Sequence, residues 1–537
     1  MSVMSPRYFR AAVVAATLVG SLVRMYHIWG SDFPLNDGGM FLSMILDLQR
    51  AGYALPEFVS YNSARIPFAY PPLAFYLAGL LSDLTRLQPV DILRFLPVAI
   101  SCLTIPAFAL LSRSVLGTSL AGTSAVFAFA LLPSSFRWVI MGGGLTRSVG
   151  YLFALLALHR LCILYREGGS RQWIPTSILM GLTVLSHPEA ALFAAYSAAL
   201  IMLRFGRNRS GIVRSFMVVA GTLAISSPWW ATILLRHGLS PFFSGMSNDN
   251  PLLIGLAVLV QMLIVYQEPF FQFLGSLAFV GTIVCMSDKS RLWLPAWMVM
   301  MYAVNVRSAS TTAPVPMALL AGIGLEHVVG LLLVGDQGVR WSMRGLAGGE
   351  SGIKFSKAGV RLVEAVTALF LMQACYAAVN AGSPWLVTLP KAERAAMTWV
   401  SINTPQDSAF LVMPSGGWAI DRSAEWFPAL AGRASVSTVQ GYEWLPGFGD
   451  RVRSRDALLA GIERGAEVEF LEDWARGSGS SFSHLYVAKK NGNGQEQSSD
   501  SYSALRQSLK ANHDYSVLYD GPGATVFARV DGPTRIQ

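Results

Sequence analysis

The chain has 537 residues, of which 53% are hydrophobic and only 14% charged, with a formal net charge of +9. Its apolar residues gather into long runs separated by short arginine-containing loops, and the runs lack strand-like alternation. This excludes an ordinary soluble domain and disfavours a membrane barrel, leaving a polytopic α-helical membrane protein. The positive charge sits in clusters such as Arg204, Arg207, Arg209 and Arg214, or Arg340, Arg344, Lys354, Lys357 and Arg361. These bracket apolar runs as cytoplasmic retention signals do, so no nucleic-acid partner is expected.

The first apolar run, residues 4–29, lacks a small-residue cleavage site and reads as a retained signal anchor with Arg7 and Arg10 inside. Further membrane segments are expected near 71–85, 92–112, 116–136, 148–165, 173–186, 188–203, 212–234, 252–266, 269–286, 292–306, 313–334 and 359–380. Strict alternation of all of them would put the Arg204–Arg214 cluster outside. One early segment, the short 71–85, and one later segment, 252–266, are therefore expected not to cross, so that of about 11–13 membrane segments about eleven are full crossings. Cys102, Cys162, Cys285 and Cys375 fall inside these segments at unrelated spacings and suggest neither a disulfide framework nor a zinc site.

From about residue 385 the composition becomes soluble. A charged helix is expected from Lys391 to Trp399, strands at 408–413 and 525–530, and a polar loop at 489–503. The expected organisation is a membrane domain over 1–384 and a mixed α/β domain over 385–537, exoplasmic by the odd number of crossings. The expected location is the plasma membrane of a prokaryote. No internal repeat stands out.

The strongest chemical signal lies in the first outer loop, about 30–70. Asn36-Asp37-Gly38-Gly39 precedes Met40, Phe41, Met44, Ile45 and Leu48 at helical spacing, so Asp37 stands at the head of an amphipathic helix just beyond the first span. A carboxylate there either caps the helix or meets the head group of a lipid-borne substrate. On the same face fall Asp32, Glu57, Arg65, Arg137, Arg147 in the Gly142–Arg147 turn, His187, Glu189, Glu268 and Arg307. Arginines at such positions also snorkel, and His187 also suits an interhelical hydrogen bond. Glu268, an acid amid apolar sequence, is a functional candidate by default. Tyr70-Pro71-Pro72 starts a helix and shapes the loop. A carboxylate to deprotonate an acceptor and cations to hold a departing phosphate form the set that transfer from a lipid phosphate needs.

These residues resemble those of the GT-C glycosyltransferases. Asn36-Asp37-Gly38-Gly39 followed by Ala51-Gly52-Tyr53 is similar to the first outer loop of bacterial oligosaccharyltransferases. Tyr70-Pro71-Pro72-Leu73 looks like the Pro-Pro-Leu element of the protein O-mannosyltransferase and lipid A aminoarabinose transferase branch. Trp399 to Pro405, leading to Gly416-Gly417-Trp418 and Gly432-Arg433, resembles the start of the oligosaccharyltransferase soluble domain. The resemblance implies a polyprenyl-phosphate-linked sugar donor, a membrane lipid environment and an exoplasmic lipid, glycan or protein acceptor. It implies Asp37 and Glu268 as catalytic carboxylates, with Arg147, Arg307, His187, Glu189 and Tyr70 binding substrate. The chain departs from the family at Gly144-Leu145-Thr146-Arg147, which replaces an acidic metal-binding motif. It departs again at Gly416-Gly417-Trp418-Ala419-Ile420, which replaces the acceptor-peptide motif. A divalent metal is thus compatible with the sequence but not required by it, and arginines can take its place on the phosphate. A transporter or flippase of a lipid-linked substrate is the alternative function, and a non-catalytic scaffold a third.

Overall fold

A computed structural model describes residues 5–169, 171–246, 257–259, 271–334, 357–380, 382, 385–465, 468–489 and 502–530. Helices occupy the expected membrane segments throughout, apart from 252–266, most of which lies outside the described residues. Among the described residues six helices are long and apolar enough to cross a membrane: Pro6–Trp29, Pro89–Leu116, Gly144–Arg166, Pro188–Phe205, Arg209–His237 and Pro314–Leu331. Leu73–Thr85, Leu120–Leu131, Trp173–Val184 and Phe273–Met286 are shorter apolar helices. At 13 residues, Leu73–Thr85 is about 20 Å long, well under the ~30 Å hydrocarbon core, and Leu120–Leu131 and Trp173–Val184 are shorter by one residue each.

Two boundaries differ from expectation for local reasons. The segment expected over 116–136 stops at Leu131, because Leu132 is extended ahead of Pro133 and a short 3₁₀ turn follows at Pro133–Ser135. The segment expected over 292–306 breaks at Asn305, whose side chain accepts the Ser308 N–H at 3.3 Å and starts a second short helix, Val306–Thr312. That break puts Arg307 in a helix's first turn rather than at the end of a span.

A fully buried arginine, Arg24, ties the first span to its neighbours. Its guanidinium donates to the carbonyls of Gly20 (3.1 Å) and Ala130 (2.6 Å) and to the hydroxyls of Ser101 (3.1 Å) and Ser135 (3.2 Å). A charge at membrane depth is tolerated only when its donors are satisfied in this way.

The first loop carries the amphipathic helix Gly39–Arg50 and a two-stranded hairpin, β1 (Phe58–Val59) with β2 (Ile66–Pro67). Met44, Ile45 and Leu48 are completely buried on that helix. The C-terminal region is built on a five-stranded sheet of β3 (Ala409–Val412), β4 (Ala434–Ser435), β5 (His484–Ala488), β6 (Tyr515–Asp520) and β7 (Ala524–Arg529), in the order β4-β3-β5-β7-β6. The pairs β4–β3 and β3–β5 are parallel, while β5–β7 and β7–β6 are antiparallel. The expected helix at 391–399 runs on as Lys391–Asn403. The expected polar loop falls almost wholly outside the described residues.

One apolar core joins the two regions: Met44, Leu48 and Phe68 of the first loop pack with Trp426, Phe427 and Val412 of the C-terminal region. Polar contacts fix the register. The Asn36 N–H donates to the Val387 carbonyl (2.9 Å), the Trp426 indole donates to the Asn36 carbonyl (2.9 Å), and Asn62 exchanges hydrogen bonds with the Ser435 backbone (2.6 and 3.0 Å). Asn36 and Asn62 hold left-handed φ values of 54° and 58°, a conformation asparagine tolerates better than most residues.

Candidate active site

Between the ends of the membrane helices and the C-terminal region lies a cavity of about 480 Å³. Asp37, Tyr70, Arg147, His187, Glu189 and Arg307, taken from distant parts of the sequence, all line it. Asp32, Glu57, Arg65 and Arg137 do not: Asp32 pairs instead with Arg394 at 2.5 Å, and Arg65 lies over the Phe58 ring. Glu268 lies outside the described residues.

Asp37 does not cap the helix that follows it. Gly38 occupies the N-cap with no side-chain bond, and the N–H groups of Gly38 and Gly39 donate instead to Glu425 Oε1, at 2.9 and 3.1 Å. Glu425 belongs to the helix Arg422–Ala431 of the C-terminal region, so the cap arrives from the far side of the cavity. Asp37 turns toward the glycine run, where its Oδ1 accepts the Gly143 N–H at 2.9 Å at the head of Gly144–Arg166. Only glycine permits this approach: a Cβ on Gly143 would stand 2.4 Å from Asp37 Oδ2, and one on Gly39 would stand 2.5 Å from the Glu425 carbonyl oxygen. The three glycines read from the sequence as a turn thus bring a helix head against a carboxylate.

Burial pushes the Asp37 carboxyl above its usual range, while Arg147 and the Gly143 N–H pull it back. Glu425 is pushed up further, by burial and by the neighbouring Asp37 charge. Two buried carboxyls side by side resist double ionisation, and Arg147 favours the charged form of Asp37. A third, Glu443, takes the Gly441 N–H at 2.7 Å and is raised by burial, with Arg307 opposing.

The cations are held by groups that leave them beside the cavity. Arg147 donates to the Trp138 carbonyl at 2.8 Å with its guanidinium 5.7 Å from the Trp138 ring centroid. Arg307 pairs with Glu189 at 3.5 Å and lies 5.7 Å from the centroid of Trp418. His187 is the N-cap of Pro188–Phe205, and its Nδ1 accepts the Ala190 N–H at 3.2 Å. That bond places the ring proton on Nε2, and burial beside Arg147 and Arg307 keeps the imidazole neutral by driving its pKa well down. Tyr70 packs edge-on against Phe41 and Trp444 and accepts from the Thr146 hydroxyl at 3.3 Å.

The heads of Gly144–Arg166, Pro188–Phe205 and Val306–Thr312 all open on this cavity, and helix N-termini favour anions. Among the described residues no group of three or more His, Cys, Asp or Glu side chains is arranged to hold a metal ion.

The opposite wall comes from residues that sequence reasoning passed over: Glu425, Gln440, Glu443 and Trp444, with Trp418 beside them. The segment 415–421, which carries Trp418 and Ala419, is fastened by Asp421. Asp421 accepts from the Ser415 N–H (3.1 Å), the Ser415 hydroxyl (2.9 Å) and the Ala424 N–H (3.2 Å), and pairs with the buried Arg455 at 2.5 Å. Gln440 donates to the Trp418 carbonyl at 2.8 Å and Asn36 to that of Ala419 at 3.1 Å. Where the sequence shows only a reduced motif, the fold keeps one aromatic residue of it at the cavity.

Apolar helices of membrane length, a first loop bearing an amphipathic helix and a C-terminal α/β region packed against that loop make up the fold. Solved structures that share it include the Archaeoglobus fulgidus oligosaccharyltransferase AglB in complex with an inhibitory peptide and a dolichol-phosphate (TM-score 0.54, 14% identity, 90% of this chain and 69% of that one). ArnT from Cupriavidus metallidurans bound to undecaprenyl phosphate matches over 98% of each chain (TM-score 0.53, 14% identity). The arabinofuranosyltransferase AftD from Mycobacteria matches over 98% of this chain but 40% of its own (TM-score 0.59, 15% identity). No protein-family model and no curated protein matches the sequence. The resemblance read from short motifs therefore holds at the level of the fold.

Proposed function

We propose that the protein is an integral-membrane glycosyltransferase that moves a sugar from a polyprenyl-phosphate donor to an acceptor hydroxyl on the exoplasmic face. The observation that carries this reading is the convergence of Asp37, Arg147, His187 and Arg307 on one cavity at the heads of membrane helices. The fold supports it, as do the lipid phosphates bound by the AglB and ArnT structures. The exoplasmic placement is supported by charge: Arg166, Arg204, Arg209 and Arg214 mark the helix ends away from the cavity, where positive-inside sorting puts the cytoplasm.

In this reading Asp37 is the general base. Its Oδ2, the oxygen not held by Gly143, takes the acceptor hydroxyl proton as that oxygen attacks the anomeric carbon. The bond from the anomeric carbon to the phosphate oxygen breaks, and its electron pair leaves with the lipid phosphate. Arg147 and Arg307 neutralise that charge, and the neutral His187 offers Nε2–H to a phosphate oxygen. Glu425 anchors the loop carrying Asp37. Tyr70 walls the site, and Glu189 holds Arg307 in place. Glu268 remains a proposed second carboxylate.

The test is transfer of label from a polyprenyl-phosphate sugar to membrane acceptors by the wild type and by Asp37→Asn. Loss of about 10²–10⁴-fold in kcat is expected for a general base. Undiminished transfer by the variant removes Asp37 from the mechanism, and lipid translocation with no glycosidic bond formed makes the protein a flippase.

A further inference from the structure

We propose that a second cavity, in the C-terminal region, binds the sugar units of a glycan acceptor that lie beyond the reacting one. The inference rests on the glycosyltransferase reading and gives its acceptor a chemical class. The cavity has a volume of about 490 Å³, within the roughly 300–1,000 Å³ usual for small-ligand sites. It shares two walls with the first cavity. Along one strip Val439 lines the second cavity and the next residues, Gln440 and Gly441, line the first; along the other, Pro446 and Gly447 line the second while Trp444 and Phe448 line the first. A chain passing between these strips would have one end beside Asp37 and the other among residues the transfer chemistry does not use.

Those residues suit carbohydrate. Asp450 and Arg451 supply an acceptor and a donor of opposite charge, and the third charged lining residue, Arg455, is neutralised by its buried pair with Asp421, so the cavity has no unpaired surplus of one sign to select an anion. Ser454 and Ser480 add hydroxyls that have no partner among the described residues. Trp474 adds an indole whose N–H is spent on the Ser454 carbonyl at 2.8 Å, which fixes the ring. Arg451 is held with its guanidinium 4.0 Å from the centroid of the Tyr442 ring, next in sequence to Glu443 of the first cavity. Sugars present hydroxyls on their edges and C–H groups on their faces, and this mixture of polar groups around one aromatic surface answers both. Gly477 leaves the rim open: a Cβ there would meet no atom within 4 Å.

The experiment uses the full-length protein in detergent with linear manno-, arabino- and gluco-oligosaccharides of increasing length as probes. Binding is read by saturation-transfer NMR and calorimetry. At least one series is expected to bind more tightly as it lengthens, and Gly477→Phe, which fills open space without disturbing the fold, should weaken the longest member by about tenfold while leaving the monosaccharide unchanged. Trp474→Ala should do the same, and Asp37→Asn should leave this binding intact. If no series gains affinity with length, if Gly477→Phe leaves the gain untouched, or if unglycosylated peptides compete equally, the glycan site is overturned. Sugar transfer that proceeds with no length dependence overturns this inference alone. Length-dependent binding sensitive to Gly477→Phe without any transfer overturns the enzyme reading and keeps the glycan site.

Discussion

The two walls of the central cavity are built on different physical terms. The membrane wall sets Arg147, His187 and Arg307 on helix heads whose bodies are fixed by apolar burial, so its charges are held by short local bonds such as Arg147 to the Trp138 carbonyl. The C-terminal wall presents Trp418, Glu425 and Glu443 from loops and a short helix, and it depends on a fully buried ion pair, Asp421–Arg455, and on contacts reaching back to the first loop. The difference teaches that changes in the first wall should act on rate, and changes in the second on assembly of the site.

The comparison can be broken most directly at Arg147. Arg147→Ala is expected to lower kcat by about 10²–10³-fold with little change in melting temperature, as loss of one group stabilising developing charge does elsewhere. A large drop in melting temperature would show that the membrane wall, too, is structural. On the other wall, Asp421→Ala removes the buried partner of Arg455, leaving it only the half-exposed Asp456 and the Gly416 carbonyl, and should cost about 3 kcal/mol of stability, read as an earlier thermal transition in detergent. An unshifted transition would deny that wall its anchor.

Glu393 sharpens the same contrast through pH. Burial raises its carboxyl from 4.5 to about 7, with the Ser423 hydroxyl at 2.7 Å partly opposing the shift. The folded state therefore holds a proton that the unfolded chain releases. The associated stability, at most about 3 kcal/mol, is full below pH 4.5 and is lost as pH rises through 7. Melting temperature should fall across that window in the wild type and fall less in Glu393→Gln.

The smallest effect expected is at Glu425. Glu425→Ala should cost about 1 kcal/mol by uncapping Gly39–Arg50, whereas Glu425→Gln keeps an oxygen for the Gly38 and Gly39 N–H groups and should retain most of that stability. Equal stability of the two variants would separate the cap from the contact between the regions.

The membrane wall was largely legible in the sequence because its signals are local. Asp37 stands beside two glycines, Arg147 follows a glycine run, and His187 precedes a proline where apolar runs meet. Each is a polar residue at a place where composition makes it costly. The opposite wall was not legible, since Glu425, Glu443 and Gln440 sit in ordinary mixed sequence where acids and amides abound. Only the docking of Arg422–Ala431 onto Gly39–Arg50 makes Glu425 special. The assignment of a cap to Asp37 was open for the same reason: propensity names residues that suit a helix head, but a partner 387 positions away leaves no trace in the spacing. The early end of Leu120–Leu131 was readable at Pro133, whereas the break at Asn305 depends on one side chain turning to its own backbone.

The Glu425 cap also orders events in time. A chain made from its N-terminus presents Asp37, Arg147 and Arg307 well before Glu425 and Glu443 exist. Until the later residues arrive, the Gly38 and Gly39 N–H groups have no carboxylate and the cavity has one wall. Asp37, Arg147 and Arg307 thus come into register with the second wall only after the helix Arg422–Ala431 and Glu443 have been made.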